Sequence, residues 1–113
     1  MAIQIYAESG KINHIGRVGE NLATTVVFDA SNQIDNFGTD GNFTLLIQQN
    51  GTLNTENLNY NNGQVEWNVT DNYTEIAGQG KVQLVYTKGN IVSKSEIYKI
   101  MVTVAVEDEE EDE

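Results

Sequence analysis

The side chains that support catalysis or metal binding most often are scarce in this sequence. His14 is the single histidine of the 113 residues, and cysteine is absent. A catalytic triad places a histidine beside a nucleophile and an acid, and a structural zinc site needs several nitrogen or sulfur ligands. Because His14 lies in the strand-like run Lys-Ile-Asn-His-Ile, we expect it on the surface or in an edge strand.

The carboxylates do not form a pair suited to acid–base chemistry either. Of the 17 acidic residues, 7 occupy positions 107–113, and the remaining 10 stand singly along the chain. Glu66 alternates with Val65 and Trp67 and is therefore expected to face solvent. A glycosidase needs two carboxyl groups facing each other across a cleft, which a small β domain does not offer. We predict a protein without catalytic residues, cofactor or metal.

Residues 35–42 read Asp-Asn-Phe-Gly-Thr-Asp-Gly-Asn and form an oxygen-rich segment. Calcium takes six to eight oxygen ligands, and such a segment supplies several. The spacing differs from the EF-hand pattern, which also needs a Glu late in the loop. We expect a flexible turn before the strand at Phe43, leave calcium binding open, and include Asp35 and Asp40 among the candidate partner-binding residues.

The elements that must position these side chains are short strands. Val65, Trp67 and Val69 alternate with polar residues, and Val82, Leu84 and Tyr86 do so again. Alternation with period two predicts strands with one buried face, which places Trp67 in the core. We predict eight strands, at residues 2–8, 12–18, 22–29, 42–49, 52–59, 63–69, 80–88 and 91–105.

The segments between these strands carry turn signals. Asn50-Gly51, Asn61-Asn62-Gly63 and Lys88-Gly89-Asn90 each join two predicted strands, and Gly and Asn accept the positive φ of tight hairpin turns. Single helical turns are expected at residues 31–37 and 71–76, the second capped by Thr70 or Asp71. Regular short strands with frequent turns predict an all-β, immunoglobulin-like antiparallel sandwich of about seven or eight strands.

The net charge of −11 divides between two parts of the chain. Residues 107–113 contribute seven negative charges, so the preceding part carries about −4. We predict a sandwich over residues 1–106 and a disordered acidic tail over 107–113, with either a solubilising role or a role as an electrostatic hook or guard. Nucleic acid is not expected as a partner. Neither a signal peptide nor a membrane span is expected.

The tyrosines give the remaining binding signal. Tyr60, Tyr73 and Tyr86 lie near Asn-rich loops, and an exposed tyrosine combines a flat apolar face with a polar tip. If these rings are exposed, Tyr60 and Tyr73 are candidate glycan contacts. A carbohydrate-binding module is therefore an alternative function.

The second half of the chain carries three ordered motifs. Residues 63–71 read Gly-Gln-Val-Glu-Trp-Asn-Val-Thr-Asp, residues 77–84 read Ala-Gly-Gln-Gly-Lys-Val-Gln-Leu, and residues 92–98 read Val-Ser-Lys-Ser-Glu-Ile-Tyr. Together with Gly-Arg-Val-Gly-Glu-Asn at 16–21, they resemble the N-terminal domain of phage baseplate upper proteins and related small virion proteins of Gram-positive phages and prophages. The resemblance covers most of residues 10–105.

This resemblance implies a non-enzymatic virion structural protein that attaches to the tail or baseplate by protein–protein docking. Its expected partners are other virion proteins, it is expected in several copies or as a homo-oligomer, and it is made in the host bacterial cytoplasm. Lys94, Ser95 and Glu96, at the expected start of the last strand, are the first candidates for partner contacts. Capsid decoration or a head fibre is the alternative within a phage. The absence of proline, which often protects edge strands, also points to assembly.

Overall fold

Two β-sheets packed face to face make up the computed structural model, which describes residues 2–61 and 63–105. The strands are β1 (Ile3–Tyr6), β2 (Ile12–Arg17), β3 (Thr24–Asp29), β4 (Asn42–Gln49), β5 (Thr52–Leu58), β6 (Tyr60–Asn61), β7 (Gln64–Asn68), β8 (Gly78–Lys88) and β9 (Ile91–Thr103). A short helix, α1 (Ser31–Phe37), follows β3, and a 3₁₀ turn (Asp71–Tyr73) follows β7.

The strand order differs between the sheets. The small sheet has the order β1-β3-β7-β6, and the large sheet has the order β2-β9-β8-β4-β5. Most neighbours are antiparallel, but β1 pairs with β3 and β2 pairs with β9 in parallel. The first two strands of the chain therefore join opposite sheets, each as an edge strand. The predicted all-β, immunoglobulin-like sandwich is confirmed, with parallel pairing at these two edges.

The core lies between the sheets and follows the alternation in the sequence. In β7, Val65 and Trp67 are buried while Glu66 between them is exposed. In β4, alternate residues from Phe43 to Gln49 are buried. Burial of apolar side chains gives each strand one preferred face, because a shift of one residue would expose the whole set. The largest fully buried side chains are Trp67, Tyr86, Phe28, Ile15, Leu45 and Ile47.

The hairpin between β4 and β5 has the turn that its sequence predicts. Asn50 has φ 51° and Gly51 has φ 77°. Positive φ at both central residues defines a type I′ turn, which matches the twist of the strands that it joins. The turn fixes the register in which Gln49 pairs with Thr52.

The two predicted helical turns are present. The first is α1, and the second is the 3₁₀ turn, which ends at Tyr73 rather than at residue 76. Thr70 occupies the N-cap position of this turn, but its side chain makes no capping hydrogen bond, and the Asn21 Oδ1 instead accepts a hydrogen bond of 3.0 Å from the Asp71 N–H. The prediction that the side chain of Thr70 or Asp71 caps this turn is therefore wrong. The 3₁₀ turn instead serves to bring the Tyr73 ring against Trp67, with ring centroids 5.4 Å apart.

The predicted acidic tail, residues 107–113, and the domain boundary at residue 106 lie outside the described residues. No helix in residues 2–61 and 63–105 is long and apolar enough to cross a membrane.

Candidate docking surface

β5 forms one edge of the large sheet and pairs with β4 alone. It extends over seven residues, Thr52–Leu58, and most of its side chains are exposed. Its pairing with β4 is continuous from Phe43–Leu58 to Gln49–Thr52, without a bulge. An unpaired edge of this length offers backbone hydrogen-bonding groups to another strand. We call this strand and its free backbone the β5 edge.

The turn geometry indicates which backbone groups of the β5 edge are free. A two-residue turn closes on a hydrogen-bonded pair, here Gln49 and Thr52. Hydrogen-bonded and non-hydrogen-bonded pairs alternate along an antiparallel ladder. Leu53, Thr55 and Asn57 are consequently in non-hydrogen-bonded pairs, and their N–H and C=O groups point away from β4.

β5 lacks most of the devices that protect an edge strand, and the one that it carries is an inward-pointing charge. It contains no proline, lysine or arginine, and Glu56 is its one charged residue. Glu56 pairs with the inward-facing Leu45, so its side chain is directed to the gap between the sheets. There its carboxylate accepts a hydrogen bond from the Tyr73 hydroxyl. The free side of the β5 edge thus presents no charge that would repel an added strand.

Tyr73 is held in place through both its side chain and its backbone. Its ring is 5% exposed, and its backbone carbonyl accepts a hydrogen bond of 2.9 Å from the buried amide of Gln49. Burial, and then the hydrogen bond and charge of Glu56, raise the pKa of the Tyr73 hydroxyl well above its ordinary value. The hydroxyl is therefore protonated across the physiological pH range and can donate its hydrogen bond to Glu56.

An apolar depression adjoins the β5 edge on the outer face of the large sheet. Its apolar walls are Leu46, Leu53 and Ile97, with Lys81 and Gln83 beside them, and its volume is about 130 Å³. Leu53 and Ile97 are 63% and 55% exposed, so the depression presents apolar side chains to solvent. The β5 edge and this depression form one continuous surface with backbone donors and acceptors on one side and apolar side chains on the other.

Lys94, Ser95 and Glu96 lie within β9, not at its start as predicted. The pairing of β8 with β9 shifts between Gln83 and Val85, so Ser95 and Glu96 form a bulge opposite Leu84, while Lys94 pairs with Val85. The Ser95 hydroxyl accepts a hydrogen bond of 3.0 Å from the backbone N–H of Leu84 and donates one of 2.8 Å to the carbonyl of Glu96. Ser95 thus stabilises the bulge, while Lys94 and Glu96 are exposed.

Residues 35–42 comprise the end of α1 and a turn that contacts β8, and the flexibility of this turn stays a prediction. Asp35 belongs to α1, and Asp40 forms an ion pair of 2.9 Å with Lys88. Lys88 also donates a hydrogen bond of 2.8 Å to the carbonyl of Phe37, and the hydrogen bond from Lys88 lowers the pKa of Asp40. Within the described part of the chain, no three His, Cys, Asp or Glu side chains come together as metal ligands.

The expectation that the tyrosines are exposed is wrong. Tyr73 and Tyr86 are 5% and 0% exposed, and Tyr60 is half-buried against Phe43. The Tyr86 hydroxyl is used internally, since it donates a hydrogen bond of 2.8 Å to the carbonyl of Gly38. Two of the three rings belong to the core, since Tyr86 lies on the inner face of β8 and the 3₁₀ turn packs Tyr73 against Trp67. The flat aromatic platform expected for sugar stacking is not formed.

His14 is exposed in the edge strand β2, as predicted, and its Nε2 lies 2.8 Å from the Thr103 hydroxyl. The β5 edge was missed by the sequence reasoning, which noted the absence of proline without locating the unprotected strand. A usable signal was present, because the Asn-Gly turn is followed by seven residues that lack lysine, arginine and proline.

Comparisons with known proteins bear on the fold. No protein-family model matches the sequence, and a search of curated proteins found no match. Among solved structures, the N-terminal domain of phage TP901-1 ORF48 is similar, with a TM-score of 0.51 and 11% sequence identity. The similarity covers 89% of this chain and 95% of that one. The chain thus shares, over nearly its whole length, the sandwich fold of a domain from a phage protein.

Proposed function

We propose that this chain is a non-enzymatic structural protein of a phage or prophage virion that serves as an attachment module of the tail or baseplate. The observation that carries the proposal is the fold similarity to a phage domain, which extends over 95% of that domain. The turn and strand motifs that resemble baseplate upper proteins support the same role. The domain is made in the host bacterial cytoplasm and acts in the virion.

The docking mechanism follows from the β5 edge. A strand of another virion protein adds to β5 and forms hydrogen bonds with the backbone of Leu53, Thr55 and Asn57. An apolar side chain of that strand occupies the depression beside Leu53 and Ile97. Backbone pairing supplies affinity for any extended segment, and the depression selects the side chain. Docked in this way, several copies of the module take part in one particle.

The role is tested on particles of the phage that encodes the chain. Heads and tails are separated on a density gradient, and the protein is quantified in each fraction by mass spectrometry. We expect it in the tail fraction, in a fixed copy number per particle. Recovery with heads supports capsid decoration or a head fibre, and absence from both fractions contradicts a virion role.

The docking mechanism has a separate test in Thr55→Pro. The Thr55 N–H points away from β4, so proline removes a donor of the β5 edge without removing a hydrogen bond of the β4–β5 ladder. We expect a folded protein whose incorporation into particles falls at least about tenfold, since one lost interface hydrogen bond and the added ring act together. Thr55→Val, which keeps the N–H, is the control and is expected to be incorporated normally.

Equal incorporation of Thr55→Pro and Thr55→Val would exclude the β5 edge as the docking site. Circular dichroism and urea unfolding of both variants separate a loss of docking from a loss of folding. The carbohydrate-binding alternative is not proposed, because Tyr73 and Tyr86 are buried.

A further inference from the structure

The positive charges of this acidic protein are concentrated on one face. Of the six Lys and Arg residues in the sequence, four lie on the outer face of the large sheet, on β2, β8 and β9. All four are exposed: Arg17, Lys81, Lys94 and Lys99. They come from three strands that the order β2-β9-β8 makes neighbours, with Lys81 and Lys99 side by side and Arg17 and Lys94 toward opposite ends of the face. We call these four side chains the cationic face.

Among the described residues, none of these four side chains forms an ion pair with a carboxylate, although the Glu20 carboxylate accepts a hydrogen bond of 3.0 Å from the backbone N–H of Arg17. The ion pairs of the described residues join Lys11 to Glu8 and Lys88 to Asp40, and neither lysine belongs to the cationic face. Glu56 of the same sheet is directed inward to the Tyr73 hydroxyl.

Glu96 is the other acid within the large sheet, and it lies in the bulge of β9. Burial, and then the charge of Glu96, raise the pKa of Tyr98, whose ring packs on Phe28 of the core. Glu96 is exposed and lies within electrostatic reach of the inward-facing Tyr98, and apart from Glu56 and Glu96 the described strands of the large sheet carry no acidic residue.

Lys81 and Lys99 are directly opposite each other in the β8–β9 register. Side chains in such a pair have Cβ atoms about 5 Å apart, and like charges at that distance destabilise the sheet. Ile12 is the partner of Lys99 on the other side, so it contributes no compensating charge. A bound anionic group between the two ammonium groups would replace this repulsion by attraction.

The sequence supplies a matching anion. Residues 107–113 are seven consecutive acidic residues, and they follow Lys99 by eight positions. The chain leaves β9 beside the cationic face, where Arg17 donates a hydrogen bond of 3.4 Å to the carbonyl of Val104 and Thr103 contacts His14.

The acidic segment is long enough to reach the lysines. Lys99 lies four residues before Thr103, which corresponds to about 13 Å along a strand. Residues 104–113 span up to about 33 Å when extended. They can reverse direction and pass both Lys99 and Lys81.

We propose that residues 107–113 dock on the cationic face of their own chain. Attachment through a short connection gives the segment an effective concentration of the order of millimolar, so weak ionic contacts suffice. The segment carries no apolar side chain and leaves the depression beside Leu53 and Ile97 open. The proposal is independent of the virion role.

Paramagnetic relaxation in the full-length protein tests this contact. Because the chain has no cysteine, Asp112→Cys provides a unique site for a nitroxide label. At about 20 mM NaCl, we expect selective broadening of the backbone amides of Lys81 and Lys99. At about 500 mM NaCl, where the Debye length is only about 4 Å, the broadening is expected to fall several-fold.

Two matched double variants locate the contact. Lys81→Gln with Lys99→Gln is expected to reduce the broadening of the β8 and β9 amides to the high-salt level. Lys11→Gln with Lys88→Gln removes the same charge from lysines that are already paired, and is expected to leave the broadening unchanged. Equal effects of the two double variants, or no broadening of these amides in the parent protein, would overturn the proposal.

A mixing experiment identifies the origin of the segment. Spin-labelled chains without isotope are mixed with unlabelled nitrogen-15 chains, so that only contacts between molecules broaden the signals. We expect no broadening in the mixture. Broadening at Lys81 and Lys99 in the mixture would show that the segment of a second copy occupies the face, and would contradict docking within one chain.

Discussion

The hydrogen bond between the Tyr73 hydroxyl and the Glu56 carboxylate connects the 3₁₀ turn after β7 to the β5 edge. Tyr73→Phe removes the hydroxyl and keeps the ring contact with Trp67. A hydrogen bond to a charged group contributes about 1.5–3 kcal/mol to stability. Because Glu56 is only half-buried, its carboxylate regains water contacts in the variant. We expect the lower end of that range, a loss of about 1.5 kcal/mol.

Urea unfolding followed by tryptophan fluorescence measures this loss, since Trp67 is the single tryptophan and is 1% exposed. For a domain of this size, the dependence of the unfolding free energy on urea is about 1.5 kcal/mol/M, so the midpoint is expected to fall by about 1 M. Tyr60→Phe is the matched control. The Tyr60 hydroxyl has no hydrogen bond within the described residues, and this variant is expected to unfold near the parent midpoint.

A double-mutant cycle isolates the pair itself. With Glu56→Ala as the second change, we expect a coupling free energy of about 1 kcal/mol between Tyr73 and Glu56. Additive effects of the two substitutions, or equal destabilisation by Tyr73→Phe and Tyr60→Phe, would refute the assignment of stability to this hydrogen bond.

Three further predictions concern the same sandwich. Gly80→Ala is expected to destabilise the domain by about 2–3 kcal/mol in urea unfolding, because a Cβ would lie 2.5 Å from the carbonyl oxygen of Gln48. Gly51→Ala should cost about 1 kcal/mol by the same assay, since φ is 77° but nothing lies near the added methyl group; a loss as large as that of Gly80→Ala would contradict this reasoning. Burial raises the pKa of both Tyr73 and Tyr98 in the folded protein. The unfolding free energy should therefore begin to fall above about pH 10, where tyrosine ionises in the unfolded chain. Tyr73→Phe should weaken this dependence on pH.

Local patterns in the sequence were sufficient for the strands, one hairpin turn and part of the core. Val65, Trp67 and Val69 are buried as their alternation predicts, because a strand directs successive side chains to opposite faces whatever its partners are. Asn50-Gly51 forms the expected turn because its backbone preference is local. The resemblance to phage virion proteins agrees in fold with the similar phage domain.

The candidate docking surface could not be predicted from local sequence patterns and depends on the tertiary structure. Tyr73 lies in a turn without strand periodicity, so its burial beneath Trp67 and its contact with Glu56 had no local signal. The Ser95 bulge depends on the register between β8 and β9, which residues distant in the sequence determine together. Strand order likewise decides that β5 is an edge.

The charged residues likewise combine features that follow from the sequence with features that depend on the tertiary structure. By itself, the sequence determined that the chain is acidic, that seven of its acids are consecutive, and that its period-two segments form a sandwich. Only the tertiary structure decided that Arg17, Lys81, Lys94 and Lys99 share one face, because pairing of β9 with both β2 and β8 makes their three strands neighbours. The physical reason is that alternation selects a face within each strand, whereas long-range pairing selects which faces become neighbours.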